Sequence, residues 1–462
     1  LTLSQFDLID FRLMNKPQYP LPTDVSQTNT GVWRPINYLG SKLRLVDVLR
    51  LALDTVDPSR GRCVDLFAGS GTVAAALSAH RSVTAVDIQE YSRVLCSAVL
   101  NPVDVSDHDL EEFFGAVKKQ ASLTQSLALP LIKYEEFCLN QARSGNPEPI
   151  CELIDHASMI AFQASKPAVQ SAFKSAHRRT REKIGAGDRT TIILRFYGGL
   201  FFSYRQAAEL DALLTVAHGL GGPRRDFYLA AIISTASEVV NTVGKHFAQP
   251  IRPRGGDGKP KRHLVAKIMR DREIDVLKLV SSWIERYRFL HPSGRAHQAI
   301  RADYADALAA TKDVAVVYAD PPYTRDHYSR FYHVLETMCL WDDPGVSTTR
   351  IHSDTETFSR GMYRADRHQS PFCVKSQAPA AFTKMFSAVK ALGVPLVLSY
   401  SPYATSNAHP RVMDVDQISQ LAKEYFASVE IISAGKFSHM KLNATRLHLD
   451  ASTEAEILFL LR

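Results

Sequence analysis

The residues best suited to chemistry lie in Val316–His333, VVYADPPYTRDHYSRFYH, where an apolar run of strand character stops at an acid, two prolines and a tyrosine. Asp320 offers a carboxylate acceptor. Pro321 and Pro322 have no N–H and a fixed φ, so the Pro321 carbonyl can be held toward the same point in space. Two converging acceptors suit an amino group with two hydrogens. Such a group conjugated to a purine or pyrimidine is a weak nucleophile, because its lone pair is delocalised. Hydrogen bonds from both N–H groups favour a more tetrahedral nitrogen whose lone pair can attack, and Tyr323 adds a flat face for stacking the base. Asp and Pro are also ordinary strand-end turn residues, so the context has to decide.

A second constellation is DLFAGSGTVAA, in which Asp65, Phe67, Gly69 and Gly71 crowd the turn between a strand and a helix. Glycines let the backbone pass close to a ligand at a sheet edge, where a helix N-terminus also points. A tight βα turn or a dinucleotide loop would look the same. Asp87 closes the next strand, about twenty residues after the loop begins, where an acid typically holds ribose hydroxyls. A strand-end Asp that caps the following helix is the plainer alternative.

These residues need a sheet beneath them. Short β-rich runs recur at 62–69, 82–87, 298–303, 313–320, 394–401, 428–435 and 455–462, most of them apolar nearly throughout, as in strands covered on both faces. Helical stretches such as TVAAALSAH and EYSRVLCSAVL separate the early runs, which predicts a doubly wound, mostly parallel α/β sheet. Only a loop separates the last two, which predicts an antiparallel hairpin. From about residue 102 to 295 the alternation stops and helix-like patterns such as QAAELDALLTVA take over. That stretch is too long for a loop and predicts an inserted, mainly helical domain. The expected division is 1–101 and 296–462 for the two parts of the core and 102–295 for the insertion.

With 462 residues, 45% hydrophobic and 22% charged, the chain is long enough for more than one packed unit. Lys and Arg number 55 against 48 Asp and Glu, and the net charge of +7 favours a polyanionic partner. Two basic clusters fall in the insertion. One is KSAHRRTREK, residues 174–183; the other is GKHFAQPIRPRGGDGKPKRH, residues 244–263, whose Gly and Pro content predicts a long, mobile loop. Six cysteines without a CxxC pair or Cys/His ligand spacing argue against a disulfide framework and a zinc site, and for a reducing compartment. Neither a signal-peptide layout nor an apolar run of membrane-spanning length is evident.

Taken in order, NYLGSK (37–42), DLFAGSG (65–71), AVD (85–87), ADYADAL (302–308) and VVYADPPY (316–323) resemble the motifs of the Dam-like class of N6-adenine DNA methyltransferases. The resemblance implies a Rossmann-like methyltransferase sheet with an inserted target-recognition domain, S-adenosylmethionine as methyl donor, and no metal. By the same resemblance, Tyr38, Gly40, Ser41 and Lys42 pack against the methionine part of the donor. Asp65, Phe67, Gly69 and Gly71 form its loop, Asp87 holds its ribose, and Asp303 holds its adenine amino group. Asp320, Pro321, Pro322 and Tyr323 carry catalysis. Taken alone, LGSKLRL reads as a helix N-terminus with solvated basic residues. LVLSYS (396–401) resembles the strand behind the target-base pocket, with Ser399 and Tyr400 only weakly specified.

Within such enzymes an acid at position 320 is the adenine-class residue, where cytosine enzymes usually carry Ser and glutamine enzymes Asn. The rivals are an RNA-adenine or cytosine-N4 methyltransferase and a catalytically inactive DNA-binding relic. The expected partner is double-stranded DNA, contacted by Arg178, Arg179, Arg181, Arg252, Arg254, Lys259, Lys261 and Arg262. Arg360, Arg364 and Arg367 form a weaker second set. A restriction endonuclease partner fits this class, and the cytoplasm, at the nucleoid, is the expected location.

Overall fold

The computed structural model describes residues 33–38, 42–163, 166, 169–185, 187–325, 327–350, 356–402, 411–433 and 456–462, without the side chains of residues 349 and 350. Arg34–Arg462 forms one compact unit. The expected cofactor residues Gly40 and Ser41 lie outside the described residues.

Nine strands are described: β1 (Arg62–Asp65), β2 (Val83–Asp87), β3 (Gln298–Arg301), β4 (Val314–Ala319), β5 (Thr348–Arg350), β6 (Glu356–Phe358), β7 (Leu396–Tyr400), β8 (Val429–Ser433) and β9 (Ile457–Leu461). Seven of them form one sheet in the order β3-β2-β1-β4-β7-β9-β8. The first five are mutually parallel, while β9 runs antiparallel to both β7 and β8. The expected doubly wound, mostly parallel α/β sheet is therefore present. Strands β1, β2, β4, β7 and β9 are apolar on both faces because helices cover both, and Val64, Val86, Val317, Leu398 and Phe459 are fully buried. At the edges, β3 and β8 have only half-buried and exposed residues.

The chain progresses outward in opposite directions from β1 and β4. Between two such strands the following segments diverge, which leaves a crevice at their carboxyl ends. DLFAGSG follows β1 and DPPY follows β4, so both motifs open onto that crevice. Helices Thr72–Ser78 and Glu90–Leu100 follow the strands as the sequence pattern predicts.

Residues 107–288 are mainly helical, beginning with the 37-residue helix Asp107–Arg143, which is started by a capping box between Ser106 and Asp109. This region packs directly on the sheet's helices. Arg93 on Glu90–Leu100 holds Asp226 on helix Gly222–Val239 through two hydrogen bonds of 2.7 and 2.8 Å.

One expectation needs correction. The 244–263 loop was expected to be mobile, but its first half is anchored: His246, Phe247, Ala248 and Ile251 are buried, and Phe247 N–H donates to Phe331 O at 2.9 Å. Its second half closes on itself through Gly255 N–H to Lys259 O (2.8 Å) and Lys261 N–H to Pro253 O (2.7 Å). Gly and Pro make this backbone irregular, yet the apolar residues between them still seek the core. After the Asp-Pro-Pro-Tyr segment, β5 and β6 pair antiparallel in a short ribbon.

Candidate active site

The site is built on the turn after β1. Gly69 and Gly71 adopt φ of 53° and 75°, the left-handed region that glycine enters without a Cβ penalty. At Gly69 the missing side chain also makes room. A Cβ there would lie 2.6 Å from the Tyr38 hydroxyl, so the turn and the segment carrying Tyr38 can meet only because this residue is glycine. Tyr38 is held from the other side by Tyr332, stacked at 5.0 Å, and Tyr328 at 5.8 Å.

Asp87, at the end of β2, ties the turn to its neighbour: Oδ2 accepts from Gly69 N–H at 3.0 Å and Oδ1 from Gln89 N–H at 2.9 Å. Burial raises the carboxyl's pKa, and the two N–H groups oppose that shift. Asp87 thus braces the turn ahead of helix Glu90–Leu100 rather than capping the helix itself, whose N-cap is Gln89, and it still leaves lone pairs toward the cavity. Asp303 follows β3 and caps helix Tyr304–Ala310 through Ala305 N–H at 3.0 Å.

One cleft of about 100 Å³, open to solvent, brings these groups together. Of the residues singled out from sequence, Tyr38, Phe67, Asp87, Asp303, Asp320 and Pro322 line it. Asp65, Lys42, Gly69, Gly71, Pro321 and Tyr323 stand outside that lining. Sequence reasoning missed Tyr91, His327, Tyr328, His368 and Phe372, which also line the cleft. Phe372 meets Phe67 edge-on at 5.4 Å and closes an aromatic wall with Tyr304. No motif marks Phe372, because a lone Phe after Ser-Pro is an ordinary core residue.

Asp320 follows β4 at the border of the cleft. Lys42 Nζ lies 3.0 Å from its Oδ1 and donates to Glu456 Oε1 at 2.6 Å, and the three side chains are 18%, 6% and 4% exposed, respectively. Burial pushes the Asp320 carboxyl up to about 7, Lys42 opposes the shift and Glu456 adds to it. Burial alone would lower the Lys42 ammonium, but Asp320 and Glu456 hold it well above its ordinary value. Asp65, buried under the turn, is pushed up to about 8 by burial and then by Asp320 and Asp87, against the Phe67 N–H.

Tyr323 meets Tyr400 edge-on at 5.5 Å, with the Arg411 guanidinium 4.7 Å and the Lys42 ammonium 5.4 Å from its ring centre. Ser399 and Tyr400 are buried in β7. Ser399 Oγ pairs with the Tyr318 hydroxyl at 3.0 Å, and the Tyr400 hydroxyl donates to Met413 O at 2.5 Å.

The basic candidates divide. Arg178, Arg179 and Arg181 are exposed on helix Ser171–Arg181, and Arg252, Lys259 and Arg262 are exposed around the second loop. Lys261 is half-buried at the start of helix Arg262–Arg272. Arg254 instead pairs with Glu148 (2.6 Å) and Asp155 (3.0 Å) and donates to Gly258 O, so it braces its own loop. In the weaker set, Arg364 is buried between Asp342 and Asp366, which removes it from any surface role. Arg360 donates to Ile251 O, and Arg367 donates to Arg364 O and lies 4.9 Å from the Tyr363 ring centre.

Comparison with known proteins agrees with this arrangement. The family described as D12 class N6 adenine-specific DNA methyltransferase matches residues 38–128 and 285–376, about two fifths of the chain. The unmatched interval between the blocks lies within the mainly helical region. The modification methylase LlaI of Lactococcus lactis subsp. lactis is 29% identical over 110 residues, which is 24% of this chain and 14% of that protein's length. In the two blocks that carry the glycine turn and the Asp-Pro-Pro-Tyr segment, the chain is thus similar to the D12 class N6 adenine-specific DNA methyltransferases, as its motifs led one to expect.

Proposed function

We propose that the protein transfers a methyl group from S-adenosylmethionine to N6 of an adenine flipped out of duplex DNA at a specific sequence. The observation that carries this reading is the shared cleft: the neighbourhood of the glycine turn, two strand-end acids and Asp320 border one cavity. The donor also fits electrostatically. Asp65, Asp87 and Asp320 crowd three carboxylates into buried surroundings, and all three are pushed up in pKa, chiefly by burial. Such a site favours a cationic ligand. When bound, S-adenosylmethionine supplies a sulfonium-activated methyl carbon.

The chain's own residues do the rest. Asp87 and Asp303 offer acceptors for a ribose and an amino group, and Phe67 and Tyr304 offer apolar surface. Asp320 and the Pro321 carbonyl accept the two hydrogens of the target amino group, which frees its lone pair, and Tyr323 stacks on the base once Arg411 gives way. Catalysis is then largely alignment, with Asp320 balancing the positive charge that develops on nitrogen. A base paired in a duplex cannot reach this site, so it leaves the stack first.

The mainly helical residues 102–295 serve as the target-recognition domain between core parts 1–101 and 296–462. Arg178, Arg179, Arg181, Arg252, Lys259, Lys261 and Arg262 are its phosphate or base contacts. Among the described residues no helix is long and apolar enough to cross a membrane. The buried cysteines fit a reducing cytoplasm, where a restriction endonuclease is a natural companion for a modification enzyme.

Mapping modified bases in DNA from cells expressing the protein tests the reading. N6-methyladenine in one sequence context is the expected result. Methylated cytosine, modified RNA adenine, or DNA binding without methyl transfer would each replace it. Asp320→Ala is expected to lower methyl transfer at least 1,000-fold, on the order of several kcal/mol of barrier, while leaving DNA affinity within about twofold.

A further inference from the structure

Glu456, the residue before β9, belongs to no motif, yet it sits at the centre of the charge pattern. It shares the Lys42 ammonium with Asp320, at 2.6 Å from its own Oε1 and 3.0 Å from Asp320 Oδ1. In buried surroundings one cation between two carboxylates cannot satisfy both equally. On the methyl-transfer reading, Asp320 exists to accept hydrogens from an amino group. An ammonium has three N–H donors and no acceptor, so Lys42 is a stand-in for that amino group. When the amino group arrives, the ammonium must yield Asp320, and a buried cation left without a partner is strongly unfavourable.

We propose that Glu456 is a positioning residue: it competes with Asp320 for the Lys42 ammonium and takes the ammonium over when the target amino group claims Asp320. The inference rests on the methyl-transfer reading above. Arg411 is placed to act alongside. Its guanidinium stands 4.7 Å from the Tyr323 ring centre and is held by Ser401 O at 2.9 Å and Ser401 Oγ at 2.6 Å, so the stacking residue also carries a cation while the base is absent.

The test is the pH profile together with base capture. The groups that act on or face Asp320 are Lys42 before the first helix, Glu456 before β9, Asp65 on β1, Tyr318 on β4, and Tyr323 and Tyr328 beyond the prolines. The ionised form of Asp320 accepts the amino hydrogens, so kcat falls as pH drops through about 7. Glu456→Gln removes a negative neighbour and leaves Lys42 on Asp320, so the acid limb moves down by about one unit. The KM for DNA rises, and 2-aminopurine placed at the mapped target position fluoresces less on binding. Lys42→Met moves the acid limb up, because the cation that favours the carboxylate is gone. Lys42→Met combined with Glu456→Gln restores the 2-aminopurine signal, and Glu456→Asp, which keeps the charge, keeps the acid limb near the wild type.

Circular dichroism checks each variant's fold, and Lys42→Met provides the reading if Glu456→Gln does not fold. An acid limb that stays put in Lys42→Met and in any folded Glu456→Gln, or a double variant that captures the base no better than Glu456→Gln, overturns the proposal. A wild type that transfers no methyl group to DNA adenine overturns the methyl-transfer reading itself. A wild type that does so, with unmoved acid limbs in the variants, overturns only the role of Glu456.

Discussion

At the scale of single residues, Asp65 makes a prediction of its own. Its carboxyl is raised from 3.8 to about 8, so the folded protein binds a proton there more tightly than the unfolded chain does. The sign follows from linkage: this group stabilises the fold at pH below about 4, and the contribution is lost as pH rises through about 8. Asp65→Asn is therefore expected to melt at a higher temperature than the wild type at pH 8.5 and at a similar one near pH 4. The gain is on the order of a few kcal/mol, since one pKa unit corresponds to about 1.4 kcal/mol. Because the carboxyl is mostly protonated at pH 7, the Asn replaces a neutral group, and calorimetry at that pH should show S-adenosylmethionine binding within about twofold of the wild type. Asp320 was legible as a candidate because its context, a strand before it and a glycine turn on the same sheet, sets it apart from an ordinary strand-end turn. Glu456 was not, because a glutamate ahead of an apolar strand is common and its partner Lys42 lies 414 residues away in sequence.

At the scale of elements, the glycine turn works through the space it leaves open. Gly69→Ala would force a Cβ to within 2.6 Å of the Tyr38 hydroxyl and strain a φ of 53°. The expected cost is about 1–3 kcal/mol of stability. Donor binding should fall with it, because Tyr38 lines the cleft; thermal melts with and without S-adenosylmethionine measure both effects. The seven sheet strands were legible because strands covered on both faces are apolar nearly throughout. The position of β9 between β7 and β8 was not, since strand order depends on packing rather than on local pattern. The β5–β6 ribbon has three residues in each strand, too few to show an alternation. Beyond the Asp-Pro-Pro-Tyr segment, helices Tyr328–Phe331 and His333–Leu340 meet at Tyr332. The Tyr332 ring stacks on Tyr38 there, a demand that comes from a distant segment.

At the scale of the molecule, charge counts alone misassigned some arginines, because the ion pairs that occupy Arg254 and Arg364 join segments far apart in sequence. Replacing Arg252, Lys259 and Arg262 by Gln should weaken DNA binding and flatten its dependence on salt. Each lost phosphate contact lowers the slope of log K against log salt by about 0.9. Arg254→Gln should instead lower the melting temperature and leave that slope unchanged. Fluorescence anisotropy across a salt series separates the two outcomes. The cleft bordered by Asp320 and Pro322 does not include Tyr323, whose ring faces Tyr400 and Arg411. On the methyl-transfer reading, a donor in the cleft and a base stacked on Tyr323 would occupy different sides of Asp320, so that neither has to be loaded before the other. Steady-state kinetics should show a random-order mechanism, in which the demethylated donor competes with its parent and leaves the apparent affinity for DNA untouched.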